Sequence, residues 1–352
     1  MSPHGATRRY VATAVLVAMT AACGGNDEAL VTEGTVAPAT TTETPAVSLD
    51  EATTTPSDAE PRETNTTSTT TAAPTTVPIR CDGTDGRITT RSGRAVTLRT
   101  EGIASAGPTI LVIHGFTGTP TGIERIADLT DVANTAGIAV AYPEGTEVSP
   151  GGFGWNTGAA VFATSSVDDV AAISEMIDAI VATGCVDPGA ITITGESNGA
   201  GMTLAALCAP ELSGAFRSAV MVIPAIDAGV LERCAGNGAS DTPLAAVIGL
   251  IDTTAPVDGG NGLLPQRIWF DEVAMWRGCS GVEVLGALTP FVDRAAGTGC
   301  RSCTEIFTVA DGPHTWPGTP LGNGGSTPGT FDLNRRIVAD ALATEPGCLS
   351  ER

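Results

Sequence analysis

Short runs of apolar and β-branched residues recur along the chain from about residue 90 onward, and most are continuous rather than alternating. Continuous apolar runs of this kind are typical of strands that are buried on both faces of a sheet. The pattern predicts seven such strands: Val96 to Arg99, Ile110 to Ile113, Ile138 to Tyr142, Ile191 to Thr194, Ala219 to Ile223, Leu244 to Ile248 and Glu305 to Val309.

Between several of these strands, apolar residues recur at three- and four-residue spacing, which is typical of amphipathic helices. We expect helices over Gly122 to Thr135, over Asp168 to Val181 and after Asp332, and the spacing of Ser166 and Asp169 resembles a capping box. Strands that alternate with helices predict an α/β fold with a mostly parallel central sheet and helices on both faces. In such folds the functional site lies at the carboxyl ends of the strands.

The N-terminal region has the pattern of an exported protein. Residues 1–22 combine two arginines, a short apolar stretch and small residues that lead to Cys23, which predicts a signal peptide of lipoprotein type. A lipid on Cys23 would anchor the protein to the outer face of the cell membrane. Because Thr20 stands where such sites usually have Leu or Val, plain secretion is the alternative.

Residues 23–79 are dominated by Thr, Ala, Pro, Ser and Glu, and they predict a disordered tether because they cannot bury enough apolar surface to fold. Residues 80–352 contain no second low-complexity segment and predict a single folded domain with a substantial core. The chain has 39 acidic and 18 basic residues and a net charge of −21, which argues against nucleic acid as a partner. We expect membrane contact only through a lipid on Cys23. We also expect the protein to be a monomer.

Nine cysteines are present, and setting aside Cys23 leaves an even number, which predicts up to four disulfides in an exported protein. The candidates are Cys81, Cys185, Cys208, Cys234, Cys279, Cys300, Cys303 and Cys348. We favour Cys208 with Cys234, and Cys279 with either Cys300 or Cys303. A zinc site on the last two would need further ligands that the sequence does not offer nearby, so no metal is predicted.

The segment Gly195-Glu196-Ser197-Asn198-Gly199 follows a predicted strand and has the G-x-S-x-G pattern of a nucleophile elbow. Such a turn exposes the serine hydroxyl and aims the next backbone N–H at a substrate carbonyl. In a chain with 43 glycines, an ordinary loop is the alternative. A carboxylate at Glu196 would either repel anionic substrates near the nucleophile or point into solvent, and we favour the second.

A serine hydroxyl needs a base, and histidine suits that task near neutral pH. His4 leaves with the signal peptide, which leaves two candidates. His314, in a Gly/Pro-rich loop after the last predicted strand, is the expected base, with a surface-loop histidine as the alternative. His114 ends an early strand, and we expect it to position a loop whose Phe116 N–H joins that of Asn198 in an oxyanion hole; a core histidine is the alternative.

The acid that orients the base should lie between nucleophile and base in sequence. Asp252 follows the strand Leu244 to Ile248 and is the strongest candidate, and Asp227, Asp241 and Asp258 are its rivals. Asp168 and Asp169 are better explained as charges at a helix start.

Together these segments resemble the extracellular esterase family that includes poly(3-hydroxybutyrate) depolymerases, feruloyl esterases and acetylxylan esterases. The resemblance covers roughly residues 90 to 320 and rests on His114-Gly115, Ala141-Tyr142-Pro143-Glu144-Gly145, Gly154-Trp155-Asn156, Val167-Asp168-Asp169-Val170, Val186-Asp187-Pro188, Gly195 to Gly199, Asp252 to Gly260 and His314-Thr315-Trp316-Pro317-Gly318. It implies an α/β-hydrolase fold and ester hydrolysis through an acyl-enzyme, with a triad of Ser197, Asp252 and His314.

The resemblance also implies that no cofactor is needed and that the substrate pocket is formed by His114, Trp155, Asn156 and Trp316, with core packing as the alternative for the tryptophans. Glu196 and the segment Ile248-Gly249-Leu250 depart from the family's usual residues. We therefore expect an extracytoplasmic serine esterase for small-molecule or polymeric esters. A catalytically silent binding lipoprotein and a serine peptidase of the same fold are the alternatives.

Overall fold

A ten-stranded sheet forms the centre of the protein in the computed structural model, which describes residues 81–158, 166–235, 238–320, 331–345 and 347–351. The described strands are β1 (Gly86–Thr89), β2 (Ala95–Arg99), β3 (Gly107–Ile113), β4 (Ala139–Pro143), β5 (Thr146–Ser149), β6 (Gly152–Gly154), β7 (Val186–Glu196), β8 (Ser218–Val222), β9 (Leu244–Gly249), β10 (Gly281–Thr289), β11 (Val292–Thr298) and β12 (Thr304–Val309). The described α-helices are α1 (Pro120–Ala127), α2 (Thr130–Thr135), α3 (Asp169–Val181), α4 (Asn198–Leu207), α5 (Ala228–Ala235), α6 (Gln266–Trp276) and α7 (Leu333–Leu342).

The strand order is β1-β2-β4-β3-β7-β8-β9-β12-β11-β10, and β5 pairs with β6 in a separate sheet. The six strands from β4 to β12 in this order are parallel, and the pairs at both edges are antiparallel. All seven predicted strands are present, and six of them form the parallel centre. The mostly parallel sheet with helices is therefore confirmed.

Alternate residues of the central strands pack into two apolar layers, one on each face of the sheet. Leu111 and Ile113 of β3 belong to the layer that includes α3, α4 and α6. Ile110 and Val112 belong to the layer that includes α1, α2 and α7. Because both faces are covered, both sets of side chains are apolar, which explains why the strands appear in the sequence as continuous apolar runs.

Two helix predictions need correction at their boundaries. The segment predicted as one helix over Gly122 to Thr135 forms two, because Asp128 takes a left-handed conformation with a φ of 50° and ends α1. Helix α3 is capped by Asp168, whose carboxylate accepts hydrogen bonds from the N–H groups of Val170 and Ala171 at 3.1 Å. The capping box from Ser166 is therefore wrong, because the helix begins two residues later than that box requires and Asp168 is its N-cap.

Four disulfides join all eight of the predicted cysteines, in the pairs Cys81–Cys185, Cys208–Cys234, Cys279–Cys300 and Cys303–Cys348. The second and third agree with the favoured pairings. Within the described part of the chain, no helix has the length and apolar character that crossing a membrane requires. The predicted signal peptide, Cys23 and the tether lie outside the described residues.

Candidate active site

The nucleophile elbow is built by the junction of β7 and α4. Ser197 lies between them with a φ of 55°, a backbone conformation that residues other than glycine rarely adopt. The two flanking glycines are required by close packing: a Cβ on Gly195 would collide with the carbonyl of Gly199, and a Cβ on Gly199 would collide with the carbonyl of Ile113. The G-x-S-x-G pattern thus reflects a turn whose two glycines have no room for a side chain and which places Ser197 at the junction of β7 and α4.

The structure brings together the three side chains of the expected triad. The Nε2 atom of His314 lies 2.8 Å from the Oγ atom of Ser197, and its Nδ1 atom lies 2.7 Å from the Oδ2 atom of Asp252. The three residues follow β7, β9 and β12, so they meet at the carboxyl edge of the parallel strands. Ser197 is 9% exposed and the His314 side chain is 19% exposed, so the site is open to a ligand but largely shielded from water.

Asp252 is held as a carboxylate by its surroundings. Burial alone would raise its pKa, but the hydrogen bond to His314 and those from the N–H groups of Ala255 and Thr254 hold the pKa below its usual value. Both N–H groups lie 2.8 Å from Oδ1. An ionised carboxylate only accepts hydrogen bonds, so Nδ1 of His314 carries the proton and Nε2 is left to accept the serine hydroxyl.

The rival acids have other surroundings. Asp227 caps α5 by accepting the N–H groups of Gly229 and Val230. Asp241 forms an ion pair with Arg301, at 2.6 Å, near the opposite edge of the sheet. Asp258 is exposed.

His114 is fixed in its neutral form. Its Nε2 atom accepts the N–H of Gly145 at 3.0 Å, so its Nδ1 must carry the proton that is donated to the carbonyl of Gly115 at 2.8 Å. Burial lowers its pKa to about 4, which keeps the ring uncharged at neutral pH. The side chain is 1% exposed, so His114 positions the loop and does not line an open pocket.

The loop that His114 positions lies directly against the elbow. A Cβ on Gly115 would be 3.5 Å from the Cβ of Ser197, so the backbone that leads to Phe116 passes close to the nucleophile. On the other side of Ser197, the backbone N–H of Asn198 begins α4, where first-turn N–H groups have no acceptor within the helix. These are the two segments expected to supply an oxyanion hole.

Trp155 and the side chain of Asn198 join these segments. Asn198 accepts the backbone N–H of Trp155 at 2.8 Å and donates to its carbonyl at 3.1 Å, and the indole of Trp155 donates to the carbonyl of His114 at 2.9 Å. Trp155 and Trp316 are each 0% exposed, so the expectation that they line the pocket needs correction in favour of core packing. Asn156 remains partly exposed, and its backbone N–H binds Asp169 at 2.6 Å.

An ion pair that the sequence did not suggest supports this loop. Asp169 is fully buried and accepts hydrogen bonds from Arg94 at 2.7 Å and from Thr146 at 3.0 Å, in addition to Asn156. The interpretation of Asp169 as a helix-start charge is therefore incomplete. Its partner Arg94 precedes β2, 75 residues earlier in the chain, and carries no motif that could have identified it.

Glu196 also differs from expectation, because its side chain is half-buried and does not point freely into solvent. Burial raises its pKa to about 7, and attraction to His314 opposes that rise. A titratable carboxyl therefore lies close to the base of the triad.

The described residues contain one group of side chains with metal-ligand atoms close together, namely Cys303, Glu305 and Cys348. Its two cysteines form a disulfide, and Cys300 is bonded to Cys279. The thiolates that the zinc alternative requires are therefore engaged elsewhere.

No protein-family model matches the chain. Among curated proteins it is similar to a probable feruloyl esterase C of Aspergillus terreus (strain NIH 2624 / FGSC A1156), with 28% identity over 185 residues. The match covers 51% of this chain and 61% of that relative, so the chain spans less than two thirds of the relative's length.

Among solved structures the chain is similar to an acetyl xylan esterase from Aspergillus awamori, with a TM-score of 0.50 and 19% identity. That match covers 67% of this chain and 95% of the other. The likeness establishes the fold expected from the motifs. The chain has the α/β-hydrolase fold, and its expected resemblance to esterases is confirmed as a similarity.

Proposed function

We propose that the protein is a serine esterase that hydrolyses carboxylic esters through an acyl-enzyme. The observation that carries the proposal is the continuous chain of hydrogen bonds from Ser197 through His314 to Asp252, at 2.8 and 2.7 Å, with the serine held in a strained turn. The similarity to proteins named feruloyl esterase and acetyl xylan esterase supports the same chemistry.

In the proposed mechanism, Ser197 attacks the ester carbonyl while Nε2 of His314 takes its proton. Asp252 stabilises the imidazolium without becoming protonated. The N–H groups of Asn198 and Phe116 bind the developing oxyanion, and the imidazolium then protonates the departing alcohol. Water repeats the sequence on the acyl-enzyme, with His314 again acting as the base.

Feruloyl, acetyl and short-chain hydroxyalkanoate esters are the proposed substrate class. We further propose that residues 80–352 form the catalytic domain and that the protein acts outside the cytoplasm, either secreted or tethered through a lipid on Cys23. Four disulfides support an oxidising compartment.

The direct test compares wild type with Ser197→Ala on p-nitrophenyl acetate, with the exposed Ser105→Ala as the matched control. We expect Ser197→Ala to lose at least about 10⁴-fold in kcat and the control to keep wild-type activity. A phosphonate probe should label wild type and the control but not Ser197→Ala. Equal rates in all three proteins would refute the proposal and favour a binding lipoprotein.

The peptidase alternative is tested separately, because the same constellation can cleave amides. Rates on an ester and its matching amide with one protein sample decide between them. A panel of acetylated xylan, methyl ferulate and polyhydroxybutyrate then identifies the preferred ester.

A further inference from the structure

A cavity of about 630 Å³ opens far from the triad, at the amino ends of β8 and β9. It is lined by the segments that lead into these two strands, together with Arg301. The triad residues follow the carboxyl ends of the neighbouring parallel strands, and strands of five and six residues separate the two edges by roughly 15 to 20 Å. The cavity is therefore distinct from the proposed catalytic site.

Arg217, in the cavity wall, is the residue that calls for a ligand. Its Nε and Nη2 atoms are buried and have no hydrogen-bond acceptor among the described residues. Buried polar groups, and charged ones above all, are normally paired, because leaving them unpaired costs free energy. Since the guanidinium makes no hydrogen bond with the described residues, it can turn toward the cavity without breaking one.

The surrounding charges favour an anion. Arg301 lines the same cavity and is bonded to Asp241, the one carboxylate in its described lining. Behind the wall, the fully buried Arg277 is held by neutral oxygens, including the hydroxyl of Thr304 at 2.7 Å and the carbonyl of Cys303 at 3.1 Å. Burial lowers the pKa of Arg277 to about 10, so it stays a cation at neutral pH.

Arg217 and Arg301 line the cavity with one described carboxylate, and Arg277 lies behind its wall. The cavity therefore has an excess of positive charge nearby, in a protein whose net charge is −21. A guanidinium presents paired N–H donors whose geometry matches the oxygens of a carboxylate or a phosphate. The exposed Ser213 adds a hydroxyl to the same lining.

We propose that this cavity, lined by Arg217, Arg301, Asp241, Ser213, Ser240 and Thr242, is a second ligand site that binds a small oxyanion, a carboxylate or a phosphate, through the guanidinium of Arg217. Arg301 is already paired with the carboxylate of Asp241. Arg217 therefore supplies the one positive charge without a counter-ion in the described lining, and we expect the ligand to carry a single anionic group. The site is independent of the proposed ester hydrolysis.

The test titrates the full chain with sodium phosphate and with sodium acetate, against sodium chloride at equal ionic strength, and follows the thermal midpoint and the heat of binding. We expect at least one oxyanion to give a saturable rise in the midpoint that chloride does not give. Which of the two binds identifies the ligand class. If both behave as chloride does, the cavity holds water and the proposal fails.

The variant Arg217→Met keeps an unbranched side chain of mostly apolar character, shorter than that of arginine, and removes the guanidinium, and we expect it to weaken oxyanion binding about tenfold or more. Arg267→Gln is the matched control, because Arg267 is a strongly exposed arginine paired with Asp271 on α6. Should Arg217→Met not fold, Arg301→Gln tests the same site. Affinity unchanged in the variant that folds would overturn the proposal. Labelling of Ser197 by the phosphonate probe, read in the same samples, tests the esterase proposal separately.

Discussion

At the carboxyl edge of the parallel sheet, the charges of the triad are matched, whereas at the amino edge they are not. The carboxylate of Asp252 accepts two backbone N–H groups and the imidazole of His314, so each of its oxygens has a partner. Arg217, by contrast, buries two nitrogen atoms without an acceptor among the described residues. Groups whose hydrogen bonds are all made, such as Asp252 and His314, are preorganised to stabilise charge that develops during a reaction. A buried cation without a partner, such as Arg217, is suited to binding an anionic ligand.

The largest expected effect is a loss of kcat when Asp252, the proposed acid at the carboxyl edge, is replaced. Asp252→Asn should lower kcat on a p-nitrophenyl ester by about 10⁴-fold, because the amide favours the wrong tautomer of His314. Asp258→Asn, which changes an exposed rival on the same loop, should leave kcat unchanged. If the two variants lose activity equally, the acid has been assigned to the wrong residue.

A second large effect, on the free energy of unfolding, is expected from breaking the buried ion pair of Arg94 and Asp169 beside the site. Asp169→Asn leaves Arg94 without its buried counter-ion and should lower the free energy of unfolding by about 3 kcal/mol. Urea unfolding measures this loss, and Asp131→Asn, an exposed first-turn aspartate of α2, is the control. A loss no greater than that of the control would mean that the ion pair is dispensable.

Glu196 is the exception at the matched edge, and its titration predicts a pH effect. Its folded pKa of about 7 lies above the usual value of 4.5, so its ionisation disfavours the folded state. This cost is absent below about pH 4.5, grows as the pH rises, and is complete above about pH 7. Glu196→Gln should therefore stabilise the protein by ~3 kcal/mol at pH 8 and have little effect at pH 4.5.

The same variant should change the kcat/KM profile near pH 7. Glu196 lies close enough to His314 to interact with it electrostatically, so the charge beside the proposed base changes as Glu196 titrates, and Glu196→Gln removes that change. Thermal unfolding at both pH values and the pH profile measure the two effects. A profile identical to wild type would show that Glu196 does not interact with the base.

The arrangement of side chains at the carboxyl edge could be predicted because local sequence patterns determine most of it. The buried strands are continuous apolar runs, and Ser197 lies in a pentapeptide whose glycines are required by backbone contacts. The sequence has three histidines, and two of them, His114 and His314, follow predicted strands, so few candidates for the base were present.

The remaining features depend on contacts between distant parts of the chain. The partners Arg94 and Asp169 lie 75 residues apart, and neither belongs to a pattern that indicates the other. Burial of Trp155 and Trp316 follows from how loops fold onto the sheet, which composition does not reveal. The cavity at Arg217 is a space between segments that are distant in sequence, and no sequence motif predicts such a space.

The smallest expected effect is a change in the free energy of unfolding when Arg217, at the amino edge of the sheet, is replaced in the absence of an oxyanion. In chloride buffer, Arg217→Met should raise the free energy of unfolding by ~1 kcal/mol, because it removes two buried donors that lack acceptors and adds apolar contact. Most substitutions destabilise a protein, so a gain would identify Arg217 as a residue kept for binding rather than for folding. Urea unfolding measures the change, and kcat on a p-nitrophenyl ester should remain at the wild-type value because the triad lies at the other edge. A loss of stability comparable to that of Asp169→Asn would instead mean that Arg217 is part of the structural framework.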